Sequence, residues 1–276
     1  MFYEKNRDIK ESYNKIVKRG SLDYRSGQMP IWCPGCGDFA IANALIEALN
    51  DLKIPKHTIA IASGIGCSGR FPVFMQCYGF HGVHGRALPL ATGMKLGNDS
   101  LTVFAVGGDG DGLSIGAGHF PHAARRNIDI TYLLFDNSIY ALTKGQTSPT
   151  ADTGTVSKTT PFGSEETPLN PVLLALSYGA TFVGRAFSGY QHEMKEVIKK
   201  AIRHRGFSLV HILTPCVVFN KTKTYELYYS KCKPFDKKYR PNSIEKAMQR
   251  AMQDKFIYTG VFYRSDKAVF CGSPGQ

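Results

Sequence analysis

The sequence predicts an α/β protein, a parallel sheet with helices on both faces. Three observations carry this. Four continuous apolar runs of strand length recur along the chain, at 58–62, 101–106, 130–135 and 208–213. Runs that are apolar at every position suit strands buried on both sides. Stretches with helical spacing lie between them, and strands alternating with helices argue for a parallel sheet. Glycine-rich turns stand directly after the first two runs, where an open α/β sheet binds its ligands.

Each element follows in order. Residues 1–29 are polar with weak periodicity and read as a mobile or partner-bound arm. From Trp32 the character changes. Asp38 is placed to cap a helix whose apolar positions Phe39, Ala42, Leu45, Leu49 and Leu52 share one face, and Pro55 ends it. After the strands 58–62 and 101–106 comes a helical pattern near 113–126, then the strand 130–135. Residues 145–170, rich in Gly, Pro, Ser and Thr, read as a long loop, a length that in a compact domain is often functional. Helical patterns at 171–178 and 190–204 precede the strand 208–213. Residues 30–220 thus form one α/β domain, and 221–276 read as a basic C-terminal extension with a helix near 243–254. There is no internal repeat.

Composition narrows the function classes. The 276 residues are 43% hydrophobic and 20% charged, ordinary for a globular protein. No apolar stretch reaches the length of a membrane span, and the first twenty residues lack the apolar core of a secretory signal. The expectation is a cytoplasmic protein with no membrane role. Seven cysteines is an odd number, and four flank glycine or proline in turn-like settings, which favours metal or cofactor thiolates over a disulfide framework. Net charge is +12, and residues 191–276 hold 17 Lys/Arg against 7 Asp/Glu. No nucleic-acid motif accompanies this charge, so nucleic acid is not expected as a partner. A solvated basic face is the plain reading, and docking of an acidic protein partner is the best functional one.

Two motifs carry chemistry. Gly107-Gly-Asp-Gly-Asp-Gly112 follows the strand 101–106. Glycines there let the backbone approach a phosphate, but an Asp would repel a bare one, so a divalent cation belongs between them. If the strand 130–135 is the neighbour, its end brings Asn137 beside Asp109, and the two supply oxygen ligands to one Mg²⁺. The second motif is Cys33-Pro-Gly-Cys36. On spacing alone, zinc, a redox dithiol and an iron–sulfur cluster compete. Cys67 and Cys216 each follow a strand, so they could join this pair at one sheet edge. Cys77, Cys232 and Cys271 lack such settings and read as structural.

At these residues a resemblance enters. Gly108-Asp109-Gly110 with Asn137 resembles the diphosphate motif of thiamine-diphosphate enzymes. The resemblance implies the diphosphate-domain fold, with Asp109, Asn137 and the Ile139 carbonyl as Mg²⁺ ligands. Many members end the motif in Asn-Asn, whereas this chain has Asp136-Asn137. The set Cys33, Cys36, Cys67 and Cys216 resembles the 4Fe–4S ligands of the β subunit of 2-oxoacid:ferredoxin oxidoreductases. The segments 32–37, 63–70, 81–89, 107–111, 136–140 and 142–150 carry the likeness, which covers about residues 30–220. Segments 160–164, 170–183 and 260–264 are most similar to the 2-oxoglutarate branch. Ala141 stands where many members have Gly.

What the resemblance implies can be stated by residue. Ile65, Gly66, Cys67, Ser68, His84, Gly108, Asp109, Gly110, Asp111, Ala141 and Leu142 would contact thiamine diphosphate. Arg70 would meet the substrate carboxylate, and Lys144 would stand near the reacting carbon. His81 keeps a structural reading, and the side chain of Asp111 reads first as a helix cap. The implied reaction is CoA-dependent oxidative decarboxylation of a 2-oxoacid, with electrons passing through the cluster to ferredoxin. It is also possible in reverse, as reductive carboxylation. Pyruvate is the alternative substrate. The aminopyrimidine-activating glutamate belongs in the family to a separate α subunit, so half an active site is expected here. Two other functions compete: a thiamine-dependent decarboxylase without a cluster, and a zinc-stabilised basic binding module.

Overall fold

The computed structural model describes residues 23–270. Residues 1–22 of the expected arm, and Cys271, lie outside the described residues. The strands among the described residues are β1 (Ile59–Ser63), β2 (Tyr78–His81), β3 (Thr102–Gly108), β4 (Thr131–Asp136), β5 (Ile139–Tyr140), β6 (Gln146–Thr147), β7 (Phe182–Phe187), β8 (Ser208–Leu213), β9 (Cys232–Pro234) and β10 (Ile257–Arg264). The α-helices among the described residues are α1 (Asp38–Leu52), α2 (Ala87–Gly97), α3 (Asp109–Leu113), α4 (Phe120–Arg125), α5 (Pro171–Ser177), α6 (Gln191–Arg203), α7 (Tyr225–Lys231) and α8 (Ile244–Ala251). The main sheet has eight strands in the order β2-β1-β3-β4-β8-β7-β10-β9. Its pairings are parallel except β10 against β7.

The strands legible as apolar runs are the central ones. β1, β4, β7 and β8 are buried at every position. Alternate residues face two separate cores. On one face Ile59, Ile61, Phe104, Val106, Leu133, Phe135, Val210 and Ile212 pack against α1 and α6. On the other, Ala60, Ala62, Val103, Ala105, Tyr132, Leu134, Val183 and Leu209 meet α2, α4, α5 and α8. Burying each such large side chain contributes about 1.5–3 kcal/mol.

Several expectations need correction. Asp38 is the first residue of α1, not its cap. Gly37 occupies the cap position without a side-chain bond, and the Asp38 carboxylate accepts from the Thr214 hydroxyl instead. The pattern at 113–126 is broken, because Gly116, Gly118 and Pro121 leave only the short α3, a 3₁₀ turn and α4. β7 was hidden by Gly184 and Arg185, which interrupt its apolar run. β2 was hidden because it is an edge strand exposed at all four positions. The segment after 220 is more regular than its sequence suggests: β9 and β10 join the main sheet, and Thr224 and Ser243 cap α7 and α8. Of the N-terminal arm, Tyr24 is buried and its hydroxyl donates to the Ile54 carbonyl.

His204 follows α6 and is buried. The Thr181 hydroxyl donates to Asn127 Oδ1, so it accepts from His204 Nε2–H, and His204 Nδ1 has no partner among the described residues. Burial, aided by Arg264, holds this imidazole below the usual histidine range. Its contribution to stability is therefore complete above pH about 6.5 and lost as pH falls through the lower, folded-state value. The drop in Tm between neutral pH and about pH 5.5 should be smaller in His204→Gln than in the wild type. Parallel melting curves at the two pH values check this.

Candidate active site

Parallel pairing brings four strand ends together. β1, β3, β4 and β8 are consecutive neighbours, so the turns after Ser63, Gly108, Asp136 and Leu213 emerge at one sheet edge. The loop 33–37 reaches the same edge. Gly37 makes this possible, since a Cβ there would strike Thr214 and Ser188 after β8 and β7.

A first cavity, of about 250 Å³, lies over these ends. Ile65, Gly66, Cys67, Ser68, His84, Gly108, Asp109, Gly110, Asp111, Asn137, Ile139, Ala141 and Leu142 all line it. Asp38, Phe135, Tyr140 and Thr143 line it too, and nothing in the sequence marks these four as site residues. Tyr140 lies in the segment 136–140 that carried the likeness. Its hydroxyl donates to the Gly110 carbonyl.

Asp109 is 1% exposed. Its Oδ1 accepts from Asn137 N at 3.3 Å and its Oδ2 from the Thr150 hydroxyl at 2.8 Å. The same hydroxyl lies 2.7 Å from Asp136 Oδ1. One hydrogen cannot serve two carboxylates at once. Burial, and then the charge of Asp136, push Asp109 up to about 7. A divalent cation at Asp109 would offset both the burial and the repulsion from Asp136. One carboxylate, one amide and one carbonyl form the kind of oxygen set that Mg²⁺ takes together with a phosphate.

Asp111 is not a helix cap. Its Oδ1 accepts from Ile65 N, Gly85 N and His84 Nδ1, at 2.8, 2.8 and 2.9 Å. One carboxylate thus ties the loops after β1 and β2 to α3. Because Asp111 accepts, His84 carries its hydrogen on Nδ1 and leaves Nε2 free to accept. Gly64 lies directly against this carboxylate, with no room for a Cβ. His81 bonds Ser63 Oγ at 3.2 Å and does not line the cavity.

A second cavity, of about 260 Å³, holds all four cysteines of interest: Cys33, Cys36, Cys67 and Cys216. Arg70 and Lys144 line it with Ile31, Trp32, Val217 and Phe219. Cys67, Asn137, Ala141 and Leu142 belong to both cavities and form the wall between them. Trp32 Nε1 donates to the Cys67 carbonyl, and the Tyr225 hydroxyl to that of Gly35. Lys144, exposed at φ +76°, sits at the tip of the β5–β6 hairpin. Burial, followed by the Asp38 charge, pushes the Cys67 thiol up to about 12. Cys36 is raised for the same reasons, with Cys67 and Cys216 adding to it. Burial thus favours the thiol form of Cys36 and Cys67, and a cationic centre would draw the two to thiolates. Among the described residues no three His, Cys, Asp or Glu side chains converge closely enough to hold one metal ion. Cys77 and Cys232 lie outside both cavities.

Comparison with known proteins gives the following. Residues 56–212 match the thiamine pyrophosphate enzyme C-terminal, TPP-binding domain, and residues 216–272 match the C-terminal part of the pyruvate ferredoxin oxidoreductase β subunit. The chain is 52% identical over 198 residues to the 2-oxoglutarate oxidoreductase subunit KorB of Mycobacterium tuberculosis. That match covers 72% of this chain and 53% of the relative, about half its length. It is 39% identical over 249 residues to the 2-oxoacid:ferredoxin oxidoreductase subunit β of Saccharolobus solfataricus, covering 85% of this chain and 82% of the relative. A solved structure of the 2-oxoglutarate:ferredoxin oxidoreductase from Magnetococcus marinus, with 2-oxoglutarate, coenzyme A and succinyl-CoA bound, superposes with a TM-score of 0.89. Its sequence identity is 43%, over 90% of this chain and 86% of that one.

Gly64→Ala should displace the Asp111 carboxylate and release its three donors. Stability is expected to fall by about 1–3 kcal/mol, the scale of a buried donor left unpaired. Denaturant unfolding of the variant against wild type checks this.

Proposed function

The chain belongs to the β-subunit family of 2-oxoacid:ferredoxin oxidoreductases, with a thiamine diphosphate-binding domain and with relatives named for 2-oxoglutarate among its matches, and from that we propose that it carries half the active site of a 2-oxoglutarate:ferredoxin oxidoreductase. One observation carries the reading: the Asp109–Asn137 pair and the four cysteines lie at one sheet edge, in two cavities that share a wall.

Asp109, Asn137 and the Ile139 carbonyl would hold Mg²⁺ and through it the diphosphate, and Cys33, Cys36, Cys67 and Cys216 would hold a 4Fe–4S cluster. When bound, thiamine diphosphate supplies the nucleophilic carbon and electron sink for decarboxylation, and the cluster accepts single electrons. His84 Nε2 offers an acceptor inside the first cavity. Arg70 and Lys144 place two cations by the dividing wall, suited to the carboxylates of a 2-oxo-diacid. The apolar Ile65, Val83, Ile115 and Leu142 are exposed on the loops around the first cavity, a surface suited to cover by an α subunit. Coenzyme A would accept the acyl group and ferredoxin the electrons. The basic last third offers an acidic ferredoxin a docking face, so the rate of electron delivery should fall as salt rises.

The test is anaerobic. The protein, purified with its natural partner, should contain iron, acid-labile sulfide and thiamine diphosphate. Asp109→Ala should lose thiamine diphosphate and keep iron, and Cys216→Ser the reverse. Zinc, or no metal in a preparation never exposed to oxygen, would sink the cluster assignment and leave a decarboxylase or a binding module. With a viologen acceptor, 2-oxoglutarate should be used faster than pyruvate. Faster use of pyruvate would move the chain to the pyruvate type, which the match over 216–272 also accommodates.

A further inference from the structure

Behind the Asn137 turn stands a chain of buried polar groups that the chemistry above leaves unused. We propose that His211 and Arg185, acting through Asp136, are positioning residues for the metal and diphosphate site, an inference that rests on the proposed function. Neither His211 nor Arg185 lines either cavity, and Asp136 is the group that joins His211 to the Asn137 turn.

Asp136 ends β4 and is 3% exposed. Three hydrogen donors converge on its carboxylate, and a fourth, the Thr150 hydroxyl, is shared with Asp109. His211 Nε2 lies 2.7 Å from Oδ2. Ser138 N, Ser138 Oγ and the Thr150 hydroxyl lie 3.0, 3.1 and 2.7 Å from Oδ1. An ionised carboxylate only accepts, and it has room for four donors. Asparagine does not, because its NH₂ would face donors.

The bonds to Ser138 matter for the site. Ser138 adopts φ +54°, a left-handed conformation that disfavours a side chain. Its turn aims both the Asn137 side chain and the Ile139 carbonyl, two of the three groups assigned to Mg²⁺. Asp136 holds that turn at its backbone N–H and its hydroxyl.

His211 holds Asp136 in turn. Its Nδ1 accepts from Arg185 Nε at 3.1 Å, so the ring hydrogen must sit on Nε2, facing Asp136. Arg185 and His211 are register partners on β7 and β8, and β8 lies beside β4. Arg185 is itself fixed: Nη2 donates to Asn170 Oδ1 at 3.3 Å, and the guanidinium lies 5.2 Å from the Phe262 ring. A cation, a neutral imidazole and an anion thus cross three adjacent strands and end at the Asn137 turn.

The experiment uses the complex of this chain with its partner subunit, stripped of divalent cations and thiamine diphosphate. Mn²⁺ replaces Mg²⁺, and the free-ion paramagnetic resonance signal gives its Kd in the presence of thiamine diphosphate. His211→Leu and Asp136→Asn should each weaken Mn²⁺ binding by roughly 10- to 100-fold, the usual cost of losing a group that orients a metal ligand. His211→Gln, whose amide can still donate to Asp136, should stay within about threefold of wild type, as should His204→Leu, a buried histidine outside the chain. Iron content should not change in any of them. The inference is overturned if His211→Leu binds Mn²⁺ as wild type does, or weakens it no more than His204→Leu. Should His211→Leu fail to fold, Asp136→Asn decides in the same way. Wild type that binds no Mn²⁺ with thiamine diphosphate would overturn the proposed function as well, whereas unaffected variants on a binding wild type overturn the relay alone.

Discussion

Parallel register is the constraint on which the site depends. Gly108 pairs with Phe135 and Asp136 with Leu213. The residues that follow are therefore set side by side before any side chain interacts. Asp109 meets Asn137, and the turns bearing Cys67 and Cys216 flank them. A one-residue slip of β4 would turn Leu133 and Phe135 to the wrong core and take Asn137 out of line with Asp109. The two hydrophobic cores thus fix the chemistry at the sheet edge through the same register that fills them.

A basic chain carries an acidic centre. Asp38, Asp109, Asp111 and Asp136 are buried at this edge, beside thiols that burial raises. Asp111 Oδ1 and the Asp136 carboxylate each accept from three donors, with the Thr150 hydroxyl shared between Asp136 and Asp109, and these two are structural anchors. Asp109 has fewer donors, and it is the one pushed up to about 7, mainly by burial.

Much of this was readable in the residues. β1, β3, β4 and β8 showed as apolar runs because both their faces are buried, and the Gly-Asp-Gly turn stood out by following one of them. Contacts between distant segments did not show. Thr150 joins two acids from inside a stretch that reads as loop, and Asp38 looks like a helix cap until Thr214 is brought beside it. His211 had a visible signal, a polar residue within an apolar strand, but no local pattern names Asp136 and Arg185 as its partners. β2 carries no pattern because it buries no face.

Trp32 is the single tryptophan in the 276 residues. It lines the cysteine cavity, its ring packs on Phe39, Phe71 and Phe74, and its N–H is held by the Cys67 carbonyl. All indole fluorescence of this chain therefore originates at one wall of that cavity. An absorbing metal–sulfur centre there would quench it by energy transfer, and loss of the centre would restore it. The fold has built an optical reporter into the place where its inorganic chemistry would occur.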